Sequence, residues 1–296
     1  MYINIKCKVY MSNILSFSTP PSIPVGFAKA LLIRRRGLSE GQPLERFEAS
    51  MGDTSINPGL LRRYVKLCGF EPGPALPVTY PHVLAVPLHL AMLTQRSFPL
   101  PTLGLVHVAQ RIEQLQPIPV DAPIAFRCYL QGVSPARSGV TFDLHTEVSV
   151  GSELYWRGVT TTLCRTRTNR GQPPHREVAA PPRPGLAVQT WHVPEDLGRR
   201  YAAVAGDRNP IHLYAWTAKM FGFKRAIIHG MWSMARAAAE LVQGEQVEMH
   251  TDFRRPIFLP SKVDFVHEPQ DDGELRFALW RPGTDKLHLS GMIRQR

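Results

Sequence analysis

A short pattern that occurs twice, at one constant offset, constrains this chain more than its composition does. Leu60-x-Arg62-Arg63-Tyr64, closed by Gly69, returns 137 residues later as Leu197-x-Arg199-Arg200-Tyr201, closed by Gly206. Self-similarity at a fixed spacing implies a structural unit used twice. Both copies read as short amphipathic helices. In the first, Asn57-Pro58 supplies an N-cap and a first-turn proline, and Leu60, Tyr64, Leu67 and Cys68 share a face before Gly69. In the second, Leu197, Tyr201, Val204 and Ala205 fall at i, i+4, i+7 and i+8, and Gly206 suits the left-handed residue that ends a helix.

Each copy is followed by a longer apolar stretch with helical character. Residues 83–94 form one, with Pro87 kinking or shortening it; residues 228–242 (IHGMWSMARAAAELV) form the other, and their low charge predicts burial nearly all round. Alternating runs at 124–131, 140–150, 155–165, 262–268, 274–280 and 286–293 predict strands, with Gly151-Ser152-Glu153-Leu154 as a hairpin turn. Each half therefore reads as helices followed by antiparallel strands, an α+β arrangement. Residues 166–184 (TRTNRGQPPHREVAAPPRP) are polar and dense in proline, the clearest linker in the chain. The expected division is an unstructured extension at 1–24, a first domain at 25–165, the linker at 166–184 and a second domain at 185–296. The first ten residues match no element, and Met11 offers an alternative start.

Composition narrows the function classes. No apolar run reaches the ~18 residues of a membrane span and no signal core is evident, so a cytoplasmic protein without a membrane partner is expected. Cys7, Cys68, Cys128 and Cys164 lie far apart with no CxxC or Cys/His cluster, which argues against a zinc site or a disulfide framework. The net charge of +11 favours anionic partners, nucleic acid or a polyanionic small molecule among them. The only tight basic run, Arg34 to Arg36, is not interleaved with aromatics and reads as charged surface, so no nucleic-acid partner is expected.

Directly after the second repeat helix stands Gly206-Asp207-Arg208-Asn209-Pro210-Ile211-His212. Asn209 can cap and Pro210 can open a new turn, so a carboxylate and an imidazole five residues apart can converge across a glycine-led bend. Held about one water apart they form a proton-transfer pair. His229-Gly230-Met231 opens the second apolar helix, where backbone N–H groups lack intrahelical partners and negative charge is favoured. Bare Gly230 would let a carbonyl oxygen approach, which is oxyanion-hole chemistry. The structural alternatives are a turn role for Asp207, a packed His212, a structural His229 at the helix entrance, close packing at Gly230, and a core or tunnel wall at Met231.

Tyr201-x4-Gly206-Asp207-x-Asn209-Pro210-Ile211-His212, with Ala218, Gly222-Phe223 and Ile228-His229-Gly230-Met231, resembles the signature of the MaoC-like, (R)-specific enoyl-CoA hydratase (hydratase 2) family. The resemblance implies two fused hot-dog domains, each an antiparallel sheet wrapped around a central helix. It also implies reversible hydration of trans-2-enoyl thioesters to (R)-3-hydroxyacyl thioesters, carried on CoA or an acyl carrier, without metal or redox cofactor. Carried over, Asp207 and His212 hold the water, the Gly230 N–H polarises the thioester carbonyl, and Gly206 and Asn209 support the loop. Tyr201, His229, Met231 and Phe70 are expected to line the substrate pocket.

Two departures matter. Tyr214 stands where the family often has Asp or Asn, and in the first half Phe70 and Ala75 match Asp207 and His212, so that half cannot run the reaction. The region of Phe70, Pro74, Pro77 and Leu88 is expected to house the acyl tail instead, and two such chains could pair as a homodimer. The competing functions are a hot-dog acyl-thioesterase and a non-catalytic acyl-thioester-binding module.

Overall fold

The computed structural model of the chain describes residues 13–33, 35, 37–38, 44–136, 138–165, 178–181 and 188–296. Its first half runs β1 (Asn13–Phe17), α1 (Ile23–Leu32), β2 (Phe47–Thr54), α2 (Pro58–Cys68), α3 (Tyr80–Leu93), β3 (Val106–Gln114), β4 (Ile124–Ala136), β5 (Gly139–Val150) and β6 (Glu153–Arg165). The second runs β7 (Gln189–Val193), α4 (Leu197–Ala205), a 3-10 turn (Pro210–His212), α5 (Ala215–Met220), α6 (Gly230–Leu241), β8 (Val247–Phe253), β9 (Ser261–Pro269), β10 (Leu275–Trp280) and β11 (Leu287–Gln295). From β2 and β7 onward the two series repeat one order of elements.

The eleven strands of the described residues join one sheet, in the order β1-β2-β4-β5-β6-β3-β8-β11-β10-β9-β7. Its second half mirrors its first, and the seam is the antiparallel pair β3–β8, in register from Ala109↔Asp252 to Gln114↔Val247. Pairing is antiparallel throughout except at β1–β2. The alternating run at 140–150 becomes β5 with alternating burial, and the hairpin predicted at Gly151 joins it to β6, with Gly151 at φ 58°.

The apolar helices sit where their composition demands. α3 packs against β2, β4 and β5, keeping Pro87 inside the helix. α6 buries Met231, Trp232, Met234, Ala235, Ala237, Ala238 and Leu241 in the core it shares with Val263, Phe265, Phe277 and Leu289.

The repeated helices meet each other. α2 and α4 pack together, each ends at a left-handed glycine (Gly69 at φ 82°, Gly206 at φ 74°), and the two repeat tyrosines, Tyr64 and Tyr201, lie with ring centroids 6.2 Å apart. Asn57 caps α2 as predicted, accepting from the Gly59 and Leu60 amides. The Tyr64 hydroxyl pairs with Thr79 at 2.8 Å, and Trp232 donates its indole N–H to the Leu67 carbonyl, tying α6 to the first half.

The unstructured extension expected at 1–24 is corrected within its described part. Asn13–Phe17 forms strand β1 on the edge of β2, and α1 begins at Ile23 behind a Pro-containing first turn, with Gly26 against Leu90 of α3. Arg35 is not plain surface charge either: its guanidinium donates to the carbonyls of Leu93, Gln95 and Phe98, closing the C-terminal end of α3. Arg34, Arg36 and most of the linker lie outside the described residues. Val178, within the linker, is held at its N–H by Asp252 and at its carbonyl by Arg254 and Ser290.

The continuous sheet and the contact between Tyr64 and Tyr201 predict that the halves unfold together. Tyr64→Ala should cost roughly 3–5 kcal/mol and lower a single unfolding transition in calorimetry; two separated transitions would show that the halves fold independently.

Candidate active site

The site is assembled from the loop after α4, the start of α6 and the first-half elements α3 and β3. Gly206 ends α4, and the chain then turns through Asp207, whose Oδ1 accepts the Asn209 N–H at 3.1 Å. Asn209 caps the 3-10 turn through the Ile211 amide, so His212 is presented at its last position. Gly198 of α4 lies against this turn: a Cβ there would sit 2.2 Å from the His212 carbonyl oxygen.

Asp207, His212 and His229 converge, with one ligating atom from each within 4.8 Å of the others. His212 Nδ1 lies 2.8 Å from the Ile227 carbonyl, and His229 Nε2 lies 3.0 Å from the Asp207 carbonyl. A carbonyl can only accept, so each of these nitrogens carries the ring proton. His212 therefore keeps a lone pair at Nε2. The His229 ring stacks on His212 at 3.7 Å and its Nε2 lies 3.8 Å from Asp207 Oδ2, so it forms the platform under the pair. Its own Nδ1 is buried without a hydrogen-bond partner.

Burial sets the charge states. His212 titrates below its ordinary value because burial disfavours the imidazolium, although Asp207 and the Ile227 carbonyl oppose this. Burial and the neighbouring His212 hold His229 at about 3. Burial raises Asp207, but His229, His212 and the Asn209 N–H together outweigh it and leave the carboxyl below its usual range. Its side chain is 41% exposed, and that exposure falls on the cavity it lines. At neutral pH the site thus holds a carboxylate beside a neutral imidazole, both acceptors and about one water apart.

The cavity, about 340 Å³, is lined by Asp207, Asn209, His212, Tyr201, His229, Gly230 and Met231 from the second half. These are the expected residues with two corrections. Phe70 is not among them; it stacks on Tyr64 and faces a separate groove of about 760 Å³ with Leu61, Val65 and Pro77, while Leu88 is fully buried in the core. In the first half Arg236 lies over Gly69, where a Cβ would meet its guanidinium, and the segment that matches the Asp207 loop, from Phe70 to Ala75, lines that separate groove. The bareness of Gly230 is explained by packing, because a Cβ there would lie 2.8 Å from the Phe253 ring. Its N–H, at the first position of α6, still belongs to a helix start on the cavity wall.

The first half supplies an apolar wall, with Val83 and Val86 of α3 beside Leu105, Val106 and Val108 at β3, and two histidines, His82 of α3 and His107 of β3. Thr160 donates to Gln110 at 2.7 Å and so accepts from His82 Nδ1 at 3.4 Å; His107 Nε2 donates to the Ala109 carbonyl at 2.9 Å. Burial holds both rings at about 3, with Asp207 pulling weakly the other way, and His89 behind them at about 4. No local motif marks these histidines; only the juxtaposition of the halves brings them to the cavity.

Comparison with known proteins shows which family the chain belongs to. Residues 170–277 match the family model described as a MaoC like domain. The chain is 32% identical over 242 residues, 81% of its own length and 86% of the relative's, to 3-hydroxyacyl-thioester dehydratase X of Mycobacterium tuberculosis. The chain belongs to the MaoC-like dehydratase family. The crystal structure of HtdX from the same organism superposes on this MaoC-like chain with a TM-score of 0.74 at 29% identity, over 84% of this chain and 100% of that one. Another Mycobacterium tuberculosis protein, described as having a double hot-dog fold, matches over 86% of this chain and 96% of its own at 14% identity and a TM-score of 0.53. This MaoC-like protein is accordingly a double hot-dog, with Asp207 and His212 in its second half where the first has Phe70 and Ala75.

Two outcomes follow. Gly198→Ala pushes α4 against the His212 backbone and should cost roughly 1–3 kcal/mol in chemical denaturation; an unchanged midpoint would show that the turn yields freely. The rings of His82, His89, His107, His212 and His229 are held neutral in the folded chain, four of them to about 3 or 4, whereas unfolded imidazoles protonate below about 6.5. The unfolded state then binds more protons, so stability falls as pH drops below that value; between about pH 7.5 and pH 5.5 the unfolding free energy should decrease by at least about 2 kcal/mol. A flat profile over that interval would contradict neutral burial.

Proposed function

We propose that this protein hydrates trans-2-enoyl thioesters and dehydrates (R)-3-hydroxyacyl thioesters, with Asp207 and His212 as the groups that hold and deprotonate water. The observation that carries the reading is the paired acceptors: an ionised carboxylate and the free Nε2 of a neutral imidazole, converging on one cavity beside the start of α6. A water donating one hydrogen to each keeps a lone pair for Cβ. As it attacks, its proton passes to His212 Nε2, where Asp207 stabilises the imidazolium, and is then handed to Cα on the same face. Charge developing on the thioester oxygen is met by the Gly230 N–H. Atoms balance without another reactant, and the step uses no metal or redox group.

The named relative is a 3-hydroxyacyl-thioester dehydratase, which supports the same reaction class here. One chain supplies both hot-dogs, so the site needs no second copy; pairing of two chains would be a further layer. The reading places the reaction in the cytoplasm. None of the described helices is long and apolar enough to cross a membrane.

Wild-type protein should bleach the conjugated absorbance of a short enoyl-CoA without releasing free thiol. Asp207→Asn and His212→Gln should each lower kcat by about a hundredfold to ten-thousandfold with the fold intact. The acid limb of the rate profile should lie below the ordinary imidazole value, because the working form needs neutral His212 and its pKa is depressed. Full turnover by either variant would refute the assignment; thiol release would point to a thioesterase, and no turnover by wild type to a binding module.

A further inference from the structure

The wall that the first half gives the catalytic cavity is interrupted at two points. Val83 and Val86 of α3, with Leu105 and Val108 at β3, suit an alkyl chain, yet His82 and His107 stand among them. Neither ring belongs to the Asp207–His212 pair, and the hydration step above uses neither.

A row of hydrogen bonds that starts at a backbone carbonyl fixes what His82 presents. The Arg111 carbonyl can only accept, so the end of the Gln110 side chain 3.0 Å from it is the amide NH2, and the Gln110 oxygen is left to accept. Thr160 donates its hydroxyl hydrogen to that oxygen at 2.7 Å, and its own oxygen accepts from His82 Nδ1 at 3.4 Å. The ring proton of His82 is thereby placed on Nδ1. Its Nε2 keeps a lone pair to which no described residue donates. His107 arrives at the same state by a shorter route, since Nε2 gives its proton to the Ala109 carbonyl at 2.9 Å and the lone pair is left on Nδ1. The two rings lie 5.8 Å apart between centroids, and His107 packs edge-on at 4.9 Å against Phe253, the ring beside Gly230. The Asp207 charge acts on both, which places them across the cavity from the reacting groups.

Burial keeps both imidazoles neutral at working pH, so they offer lone pairs rather than positive charge. A buried acceptor without a donor carries a desolvation cost that a saturated chain cannot offset. A ketone or a carboxylate on the chain would bring only more acceptors. A hydroxyl brings the hydrogen that is missing.

We propose that the acyl chain this site takes carries a hydroxyl a few carbons beyond Cβ, and that the hydroxyl donates to His82 Nε2, with His107 Nδ1 the neighbouring acceptor. The proposal rests on the enoyl-thioester reading above and names the class of acyl group. His82 is then a specificity residue in contact with substrate, and Thr160 and Gln110 are positioning residues that hold its tautomer.

The test uses trans-2-enoyl thioesters of one chain length on one thiol: the plain chain, the chain with a hydroxyl at C4, C5 or C6, and the methyl ether of each alcohol. At one of these positions the hydroxyl should raise wild-type kcat/KM at least about tenfold over the plain chain, mainly through KM. The matching ether, which keeps the oxygen and lacks the hydrogen, should lose that gain. In His82→Leu the ratio of alcohol to plain chain should fall toward one. No gain at any position, an ether as good as its alcohol, or a gain that His82→Leu leaves intact overturns the proposal; if the variant does not fold, the wild-type comparison of alcohol with ether decides alone. If none of the esters is hydrated, the functional reading fails, and calorimetric titration with the saturated hydroxylated and plain acyl thioesters then decides. Tighter binding of the alcohol by wild type still supports a hydroxyl site, and equal binding or none refutes it.

Discussion

Two hydrogen bonds from imidazole to backbone decide what this site can do. His212 gives its Nδ1 proton to the Ile227 carbonyl and His229 gives its Nε2 proton to the Asp207 carbonyl, so both rings have fixed tautomers and fixed planes, stacked 3.7 Å apart. The first bond frees Nε2 of His212. The second pins the loop that carries Asp207 to the entrance of α6, so that a flexible glycine-led bend becomes a rigid mount. Burial keeps the rings neutral, and a neutral pair beside a carboxylate is what lets one water be held by two acceptors at once.

The duplicated architecture gives the chain two related places of which one carries the carboxylate and imidazole pair. Each hot-dog leaves a helix and a sheet edge uncovered, and the β3–β8 seam with the α2–α4 contact covers both by joining the halves. The two potential sites that symmetry creates have diverged. At one, Arg236 lies over Gly69, Trp232 bonds the Leu67 carbonyl, and Phe70 to Ala75 line a groove without the dyad; at the other, the cavity carries Asp207 and His212 and borrows His82 and His107 from the opposite half. The half without a dyad thus contributes two histidines and an apolar wall from α3 and β3, while the Phe70 region lines its own groove.

How much of this was legible before the structure depends on how local the cause is. The repeat helices, their glycine ends, the Gly151 hairpin and the Asp207–His212 convergence are written in neighbouring residues, and the structure reproduces them. β2, β3 and β8 escape because their polar residues find partners across the assembled molecule: Glu48 through Arg127, Gln110 through Thr160, Gln114 through the Glu245 carbonyl, Asp252 through the Val178 amide. Phe70 was misplaced for a geometric reason. A constant offset identifies which residue corresponds to Asp207, but correspondence under a pseudo-twofold puts the two at different sites, and Phe70 faces its own groove. His82 and His107 carry no local signal at all.

The claim on which everything turns is that Asp207 and His212 act on one shared water. A double-mutant cycle on Asp207→Asn and His212→Gln, read as kcat for hydration of a short enoyl thioester, measures that directly. If the two groups form a single unit, the double variant should be no worse than the poorer single variant within about threefold. Losses that multiply would mean that the carboxylate and the imidazole work on separate atoms, and the shared-water account would be wrong.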